Sequence, residues 1–393
     1  MGAGMNEAAD PSTSYEMTFG VEEYRERLRK VRAGMAEAGV DTLLLNSFAN
    51  IFYLIGHQTT GLANYHCLIV PMEGEPLLVV RRLELLLAQS CSWISEFVAW
   101  EDHEDPVEVT TRTLSARGLA AGRLGVEKGS LAVSARAMEQ LQAALGGARL
   151  VDATGVVEAC RRIKSPAEIA YIRRTAEITG AGMRAALAAV RAGVTENHVA
   201  AAAVSAMYEA GSEFMSREPT VNSGPRSGIA HTSFKRRVIE PGDTVLLEMS
   251  ACYNRYSAPL MRVASIGEPQ ARVRAMSDAC IGGLEAGIAA VRPGATAGDI
   301  ERAVGEVYRA HGLSAGKRAG YSIGIGFPPS WMEAEIIALK RDDPTVLVPG
   351  MVFHIVPALR EPRQFAVGCS ESVLVTEQGH EVLTALDRKL FVK

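Results

Sequence analysis

The chain has 393 residues, of which 48% are hydrophobic and 22% charged, close to the average of folded globular proteins and far from disordered or fibrous compositions. Such a length suggests two domains or one large one, enough to bury a sizeable core without disulfide or metal staples. Lys+Arg number 41 against 45 Asp+Glu, a net charge of -4, which excludes the basic footprint of a nucleic-acid binder and points to a neutral or small-molecule partner.

From Met1 to Met17 the sequence is polar, with no basic-then-apolar signal pattern, and Asn6 stands where a myristoylation signal wants Ser or Thr. Nowhere does the chain approach the roughly 18 uninterrupted apolar residues of a membrane span. Cytoplasmic localisation with no membrane contact is therefore expected. The cysteines at 67, 91, 160, 252, 280 and 369 lie far apart without a Cys-x-x-Cys, so reduced thiols are expected rather than a zinc knuckle or a disulfide scaffold.

Residues 1–19 read as a flexible tail. Glu22 to Ala38 carries Tyr24, Leu28, Val31 and Met35 at helical spacing and ends at Gly39, the pattern of an amphipathic helix. Four apolar runs follow, Asp41 to Asn46, Ile51 to Ile55, Cys67 to Val70 and Pro76 to Val80, each bounded by Gly, Asn or Pro and each predicted as a buried strand. The charged run from Glu101 to Asp105 before Pro106 reads as a solvated loop rather than a metal site. Residues 20–155 are thus predicted to form an α/β domain.

Residues 156–393 form the second domain. Ser165, Pro166 and Glu168 have the spacing of a capping box, which predicts a long helix starting there. Beyond it the sequence repeats itself: the run from Leu187 to Thr195 matches Ile288 to Thr296, and the same offset pairs Val199 with Ile300, Ala202 with Ala303 and Gly211 with Gly312. Each copy reads as helix, Gly turn, helix, then Gly-broken β-rich sequence. Two such halves would bury their sheets against each other beneath the helices, with a cleft between them.

Three stretches carry a family resemblance. They are Arg162 to Arg173, Ser223 to His231 with Gly242 to Leu247 downstream, and Pro349 to Phe353 with Ser372 to Gly379 near the end. Together they resemble the creatinase and aminopeptidase P superfamily, which implies an α/β fold with an N-terminal creatinase-like domain and a duplicated pita-bread catalytic domain, across roughly residues 20 to 393. Peptidases of that superfamily resemble one another in five metal ligands, two Asp, one His and two Glu. The resemblance puts Glu248, Pro259, Tyr321, Val356 and Ser370 at those positions. Pro and Val offer no side-chain donor, so no metal and no cofactor is expected. The run from Gly320 to Trp331, with Phe353 and His354 before Pro357, Glu248, and Arg255 with Tyr256, is similar to the metal-free branch that holds ectoine hydrolase and creatinase.

On that resemblance His231, Glu248 and Tyr321 are the candidate catalytic residues. An imidazole can both take and return a proton near neutral pH, as hydrolysis with a nitrogen leaving group requires. Glu248 follows the apolar run Val245 to Leu247, so a buried carboxyl with a raised pKa is expected there, as a protonated donor, a base for water or a nucleophile, or else as a structural partner of Arg262 or Arg255. Tyr321 could donate a hydrogen bond to substrate or to Glu248, or only pack. Candidate substrate-binding residues are Arg226, Arg262, His354 and Glu371, with Arg217 an alternative to Arg226 for holding an acid group. His57, Asn64 and Tyr65 join them, because creatinase-like dimers resemble one another in reaching into the partner's cleft with this loop. Asn64 replaces the Arg that creatinase uses there, which weakens creatine as the substrate. Cys252 and Cys369 show no thiolate-stabilising context for a Cys-His amidase.

The resulting expectation is a homodimeric, metal-independent hydrolase cleaving a non-peptide C–N bond in a small amidine, guanidine or cyclic amide. Two alternatives stand beside it: a metal-dependent Xaa-Pro dipeptidase-like hydrolase, and a non-catalytic ligand-binding descendant of the fold.

Overall fold

The computed structural model describes residues 16–146, 148–314, 316 and 318–393, so most of the expected tail lies outside the described residues. The chain packs as two units, the first ending at Arg161 and the second running from Arg162 to Lys393.

The first unit alternates helices and strands: α1 (Val21–Ala38), β1 (Thr42–Leu45), α2 (Phe48–Ile55), β2 (Cys67–Pro71), β3 (Leu77–Arg81), α3 (Leu85–Cys91), β4 (Glu96–Trp100), α4 (Pro106–Ala116), β5 (Arg123–Val126), α5 (Ala135–Ala144), β6 (Arg149–Asp152) and α6 (Val156–Arg161). The strands form one mixed sheet in the order β4-β3-β2-β1-β5-β6. Along α1, Tyr24, Leu28, Val31 and Met35 are buried, and the helix stops where Gly39 takes φ 62°, a left-handed conformation that costs glycine little.

One predicted strand is a helix. Ile51 to Ile55 belongs to α2, in which Asn50 through Ile55 are all buried and Gly56 closes the C-terminus in the left-handed region. A short run that is apolar all round has no period to separate strand from helix. Burial then decides, since each buried side chain contributes roughly 1.5–3 kcal/mol against less than about 1 kcal/mol of helix propensity lost by β-branched and aromatic residues.

The second unit contains the two copies of the repeat. The first copy is α7 (Pro166–Ala189), α8 (Glu196–Glu209), β7 (Thr220–Ser223), β8 (Thr244–Met249), β9 (Cys252–Tyr253), β10 (Tyr256–Ser257) and β11 (Leu260–Ser265). The second is α9 (Ala271–Ala290), α10 (Ala297–Ala310), β12 (Arg318–Phe327), β13 (Ser330–Met332), β14 (Ala338–Lys340), β15 (Val352–Ile355), β16 (Ala358–Glu361), β17 (Phe365–Gly368), β18 (Glu371–Thr376) and β19 (Gly379–Val382), with β20 (Leu390–Val392) last. The predicted capping box is present on α7, with Ser165 Oγ accepting from the Glu168 N–H and Glu168 Oε2 accepting from the Ser165 N–H. The repeat extends to the caps: Thr195 starts α8 and Thr296 starts α10, and each pairs by an isolated bridge with a later Val, Val238 or Val346.

Each helix pair covers its own sheet. Ile178, Met183, Leu187 and Met207 of α7 and α8 pack on Val245, Leu247 and Met249 of β8, in the sheet ordered β20-β11-β8-β7. Leu284, Ile288, Ile300 and Val304 of α9 and α10 pack with Phe353, Ile355 and Val373, in the sheet whose path is β19-β18-β15-β12-β10-β9. Because side chains alternate along a strand, Glu248 shares with Leu246 the face of β8 turned away from α7 and α8.

Candidate active site

Glu248 sits in the middle of its sheet, with Thr220 of β7 and Met261 of β11 as cross-strand neighbours. Among the described residues its carboxyl makes no hydrogen bond and no ion pair. Burial pushes it above the ordinary carboxylate range, and the charges of Arg217 and Arg360 pull in the other direction without restoring it. Arg217 is held beside it by a 2.8 Å bond from Nη2 to Thr220 Oγ1 and lies 5.0 Å from the ring centroid of Trp331. The two arginines expected as structural partners of Glu248 are occupied elsewhere. Arg255 donates to the carbonyls of Phe214 and Gly326 at 2.9 and 2.6 Å.

Arg262 is the second. Its five N–H groups go to the carbonyls of Asp387, Met261, Ser370 and Leu386 and to Glu371 Oε1, the last at 2.6 Å. No donor remains for a ligand. Glu371 is equally committed, since it also accepts from Thr384 and Arg388. The geometry therefore makes Arg262 and Glu371 a buried structural pair, in place of the substrate contacts expected of them.

Across the second sheet runs a chain of hydrogen bonds. Tyr321 of β12 stands opposite His354 of β15, and His354 opposite Ser372 of β18, so the three share one face. Trp331 Nε1 donates to the Tyr321 hydroxyl at 3.1 Å, that hydroxyl lies 2.9 Å from His354 Nδ1, and His354 Nε2 lies 2.6 Å from Ser370 Oγ. Burial pushes His354 down to about 3, so its imidazole is neutral at physiological pH and carries one hydrogen. With that hydrogen on Nδ1, the imidazole donates to Tyr321 and leaves the phenol hydrogen free for a third group. Burial, and after it the negative charge of Glu248, raise the Tyr321 phenol. Tyr321 and Glu248 are thus electrostatic neighbours.

His231 lies in the loop between β7 and β8, exposed, with φ 60°. Among the described residues no hydrogen bond or ion pair joins it to Glu248 or Tyr321. The loop itself is well anchored: Ser227 Oγ accepts from the Ala366 N–H at 2.9 Å, and a Cβ on Gly228 would stand 2.5 Å from the Glu361 carbonyl oxygen. It is thereby packed on the β16–β17 hairpin, which carries Arg360. Arg226 is spent on stitching this loop, through Glu196 at 3.4 Å and the Ser233 carbonyl. Burial pushes the thiols of Cys252 and Cys369 up to about 11, which leaves neither as a thiolate.

A profile of metallopeptidase family M24 matches residues 170–377, and one of the creatinase/prolidase N-terminal domain matches residues 27–163. The chain belongs to metallopeptidase family M24. Ectoine hydrolase of Halomonas elongata is 31% identical to it, over 96% of this chain and 99% of that protein. Creatinase of Bacillus sp. strain B-0618 is 27% identical, over 93% of this chain and 92% of that protein. Among solved structures, dipeptidase PepE from Mycobacterium ulcerans is 26% identical with a TM-score of 0.81, over 95% of this chain and 99% of that one. The M24 match places the chain in the creatinase and aminopeptidase P superfamily with its pita-bread domain, and makes it a hydrolase acting on C–N bonds.

In this M24 chain the expected substrate-binding residues of the first unit turn inward. His57 is fully buried against Cys91, Asn64 Nδ2 donates to Glu84 at 2.8 Å, and the Tyr65 hydroxyl accepts from Thr110 at 3.2 Å. Sequence reasoning missed Arg360, which bears on Glu248 from a hairpin far along the chain, and the use of Ser370 as the far end of the Tyr321–His354 chain. Arg360 lies in the strand Ala-Leu-Arg-Glu, which has no alternation to mark it. Nothing local could have shown the second.

Proposed function

We propose that this M24 hydrolase acts without a metal on a non-peptide C–N bond of a small amidine, guanidine or cyclic amide, as the metal-free reading of the sequence expects. The observation that carries the proposal is the Glu248 carboxyl, unpaired, raised by burial and electrostatically coupled to Tyr321. The donor set supports it. At the five positions where M24 peptidases hold their metals, Pro259 and Val356 offer no side-chain donor, while the Tyr321 and Ser370 hydroxyls are both bonded to His354. One free carboxylate does not fit a two-metal centre.

In this reading a Glu248 oxygen attacks the amidine or amide carbon, a C–O bond forms, and the π pair moves onto the heteroatom that Tyr321 hydrogen-bonds. Re-formation of the π bond expels the nitrogen with the electrons of the C–N bond, and that nitrogen takes a proton from the His231 imidazolium. Neutral His231 then takes a proton from water, whose oxygen displaces Glu248 and returns it as carboxylate. Arg217 and Arg360 stabilise the charge that Glu248 regains. The working unit is a homodimer, and six free thiols suit the reducing cytoplasm; the mass in solution tests the first.

Turnover of ectoine, creatine, related amidines and Xaa-Pro dipeptides, each with and without chelator, tests the function. Chelator-insensitive cleavage of an amidine, guanidine or cyclic amide is the expected result. The likeness to a solved dipeptidase favours a second reading, a metal-dependent dipeptidase. Xaa-Pro hydrolysis that stops with chelator and returns with a divalent cation would replace the first reading by the second.

A further inference from the structure

His57, His66 and Glu84 converge in the first unit, all three buried, each with one ligand-capable atom within 4.8 Å of the others. The hydrolytic reading uses none of this convergence. Two imidazole rings lie side by side, their centroids 5.2 Å apart, and one carboxylate completes the group.

The contacts around the cluster prepare each donor. His66 Nδ1 lies 3.1 Å from the Asn64 carbonyl oxygen, which holds the hydrogen on that nitrogen and turns Nε2 toward Glu84, 2.5 Å from Oε2. The other oxygen of Glu84 accepts from Asn64 Nδ2 at 2.8 Å. A backbone carbonyl behind a histidine and an amide behind a carboxylate are the outer contacts that orient metal ligands. His57 Nδ1 faces the Cys91 sulfur at 3.6 Å, and burial pushes that thiol up to about 11, so the sulfur is present as a thiol. His57 Nε2 is left buried with no hydrogen-bond partner among the described residues. The loop is shaped around the cluster: a Cβ on Gly61 would stand 1.9 Å from Glu84 Oε1 and 2.9 Å from Asn64 Nδ2, so any larger residue there would push the carboxylate and its amide partner out of place.

We propose that His57, His66 and Glu84 bind one first-row divalent transition-metal cation, of which zinc is the best match to two imidazoles and one carboxylate. Calcium and magnesium, which prefer oxygen donors, fit poorly. The cation displaces the hydrogen shared between His66 Nε2 and Glu84 Oε2, so binding releases a proton, and it gives His57 Nε2 the partner it lacks. The site lies wholly in the first unit and does not depend on how Glu248 works.

The full chain, stripped with chelator and dialysed, is titrated with Zn2+ and separately with Co2+. Saturable uptake of one cation per chain, visible d–d absorption from Co2+ and a higher melting temperature with Zn2+ are expected. X-ray absorption of the zinc-loaded wild type should show two imidazoles and one carboxylate in the first coordination sphere. His66→Gln and Glu84→Gln should lose the stoichiometric uptake, while Glu248→Gln keeps it. No saturable uptake by the wild type overturns the proposal, as does coordination without two imidazoles. Uptake that survives both first-unit substitutions or disappears in Glu248→Gln also overturns it, and the measurements on the wild type decide even if a variant fails to fold.

Discussion

The Tyr321 hydroxyl is fixed between two ring nitrogens, Trp331 Nε1 at 3.1 Å and His354 Nδ1 at 2.9 Å. Where the peptidases of the family resemble one another in a metal-binding histidine, this chain carries a phenol anchored from behind by a neutral imidazole. Tyr321→Phe should lower kcat by roughly tenfold or more while leaving KM nearly unchanged, as expected for a hydrogen bond that strengthens in the transition state. It should also cost about 1–3 kcal/mol of stability, because the Trp331 and His354 nitrogens lose a buried partner. Steady-state kinetics and urea denaturation on the same preparation separate the two effects; unchanged kcat would leave Tyr321 a packing residue.

Glu248→Gln and His231→Ala should each reduce turnover by at least about a hundredfold with the fold retained. Wild-type turnover quenched with acid before water displaces Glu248 should show, by mass spectrometry, the substrate fragment bonded to the peptide that contains Glu248. Normal turnover by Glu248→Gln would make the carboxyl structural and end the proposed mechanism. A slow variant with no adduct in the wild type would turn Glu248 into a base for water.

His354 predicts a pH dependence of stability. Its ordinary pKa is 6.5 and burial lowers it to about 3 in the folded chain. Above 6.5 neither state binds the proton and the group contributes nothing. Between 6.5 and 3 the unfolded chain binds a proton that the folded chain refuses, so stability falls as the pH falls, by roughly 2 kcal/mol at pH 5. His354→Gln should flatten this acid slope. Urea midpoints of both proteins at pH 7 and pH 5 provide the measurement, and parallel slopes would contradict the assignment.

Lys164 and Glu333 form an ion pair at 2.9 Å with both side chains 1% exposed, and Lys164 also reaches Ser322 at 3.3 Å. Removing Lys164 takes the positive charge away from a buried carboxylate, which still accepts from the Ser322 hydroxyl and the Ile325 N–H. Lys164→Met should therefore destabilise the protein by about 3–5 kcal/mol, and adding Glu333→Gln should recover part of that loss. A loss below about 1 kcal/mol for Lys164→Met, the size of a surface pair, would show that water reaches the pair.

What the sequence made legible followed from local rules. The Ser165 capping box and the Gly39 stop are read from spacings of a few residues, and the repeat from self-similarity. Glu248 stood out because the family resemblance puts it at a ligand position, and the apolar run before it then implied a buried carboxyl. The short helix α2 was not legible, since residues buried on every side show no period. Pairings across long separations were hidden for a different reason: Arg262 and Glu371 are joined only by the meeting of distant strands, and either could have faced a ligand. The same holds for Glu84, whose place beside His66 depends on the loop folding over it.

The last strand, β20, runs parallel to β11, pairing Val263 with Leu390, Ala264 with Phe391 and Ser265 with Val392, although the M24 profile ends at residue 377. Arg262 meanwhile collects the carbonyls of Leu386 and Asp387. The first half of the repeat is therefore completed by residues 390–392, which follow the second half along the chain. Until those residues are made, the outer edge of β11 is open to pairing with another chain, and Arg262 lacks the Leu386 and Asp387 carbonyls. The earlier half thus borrows its edge strand from beyond the later one, so cutting the chain between the two copies would leave the first with an uncovered sheet edge.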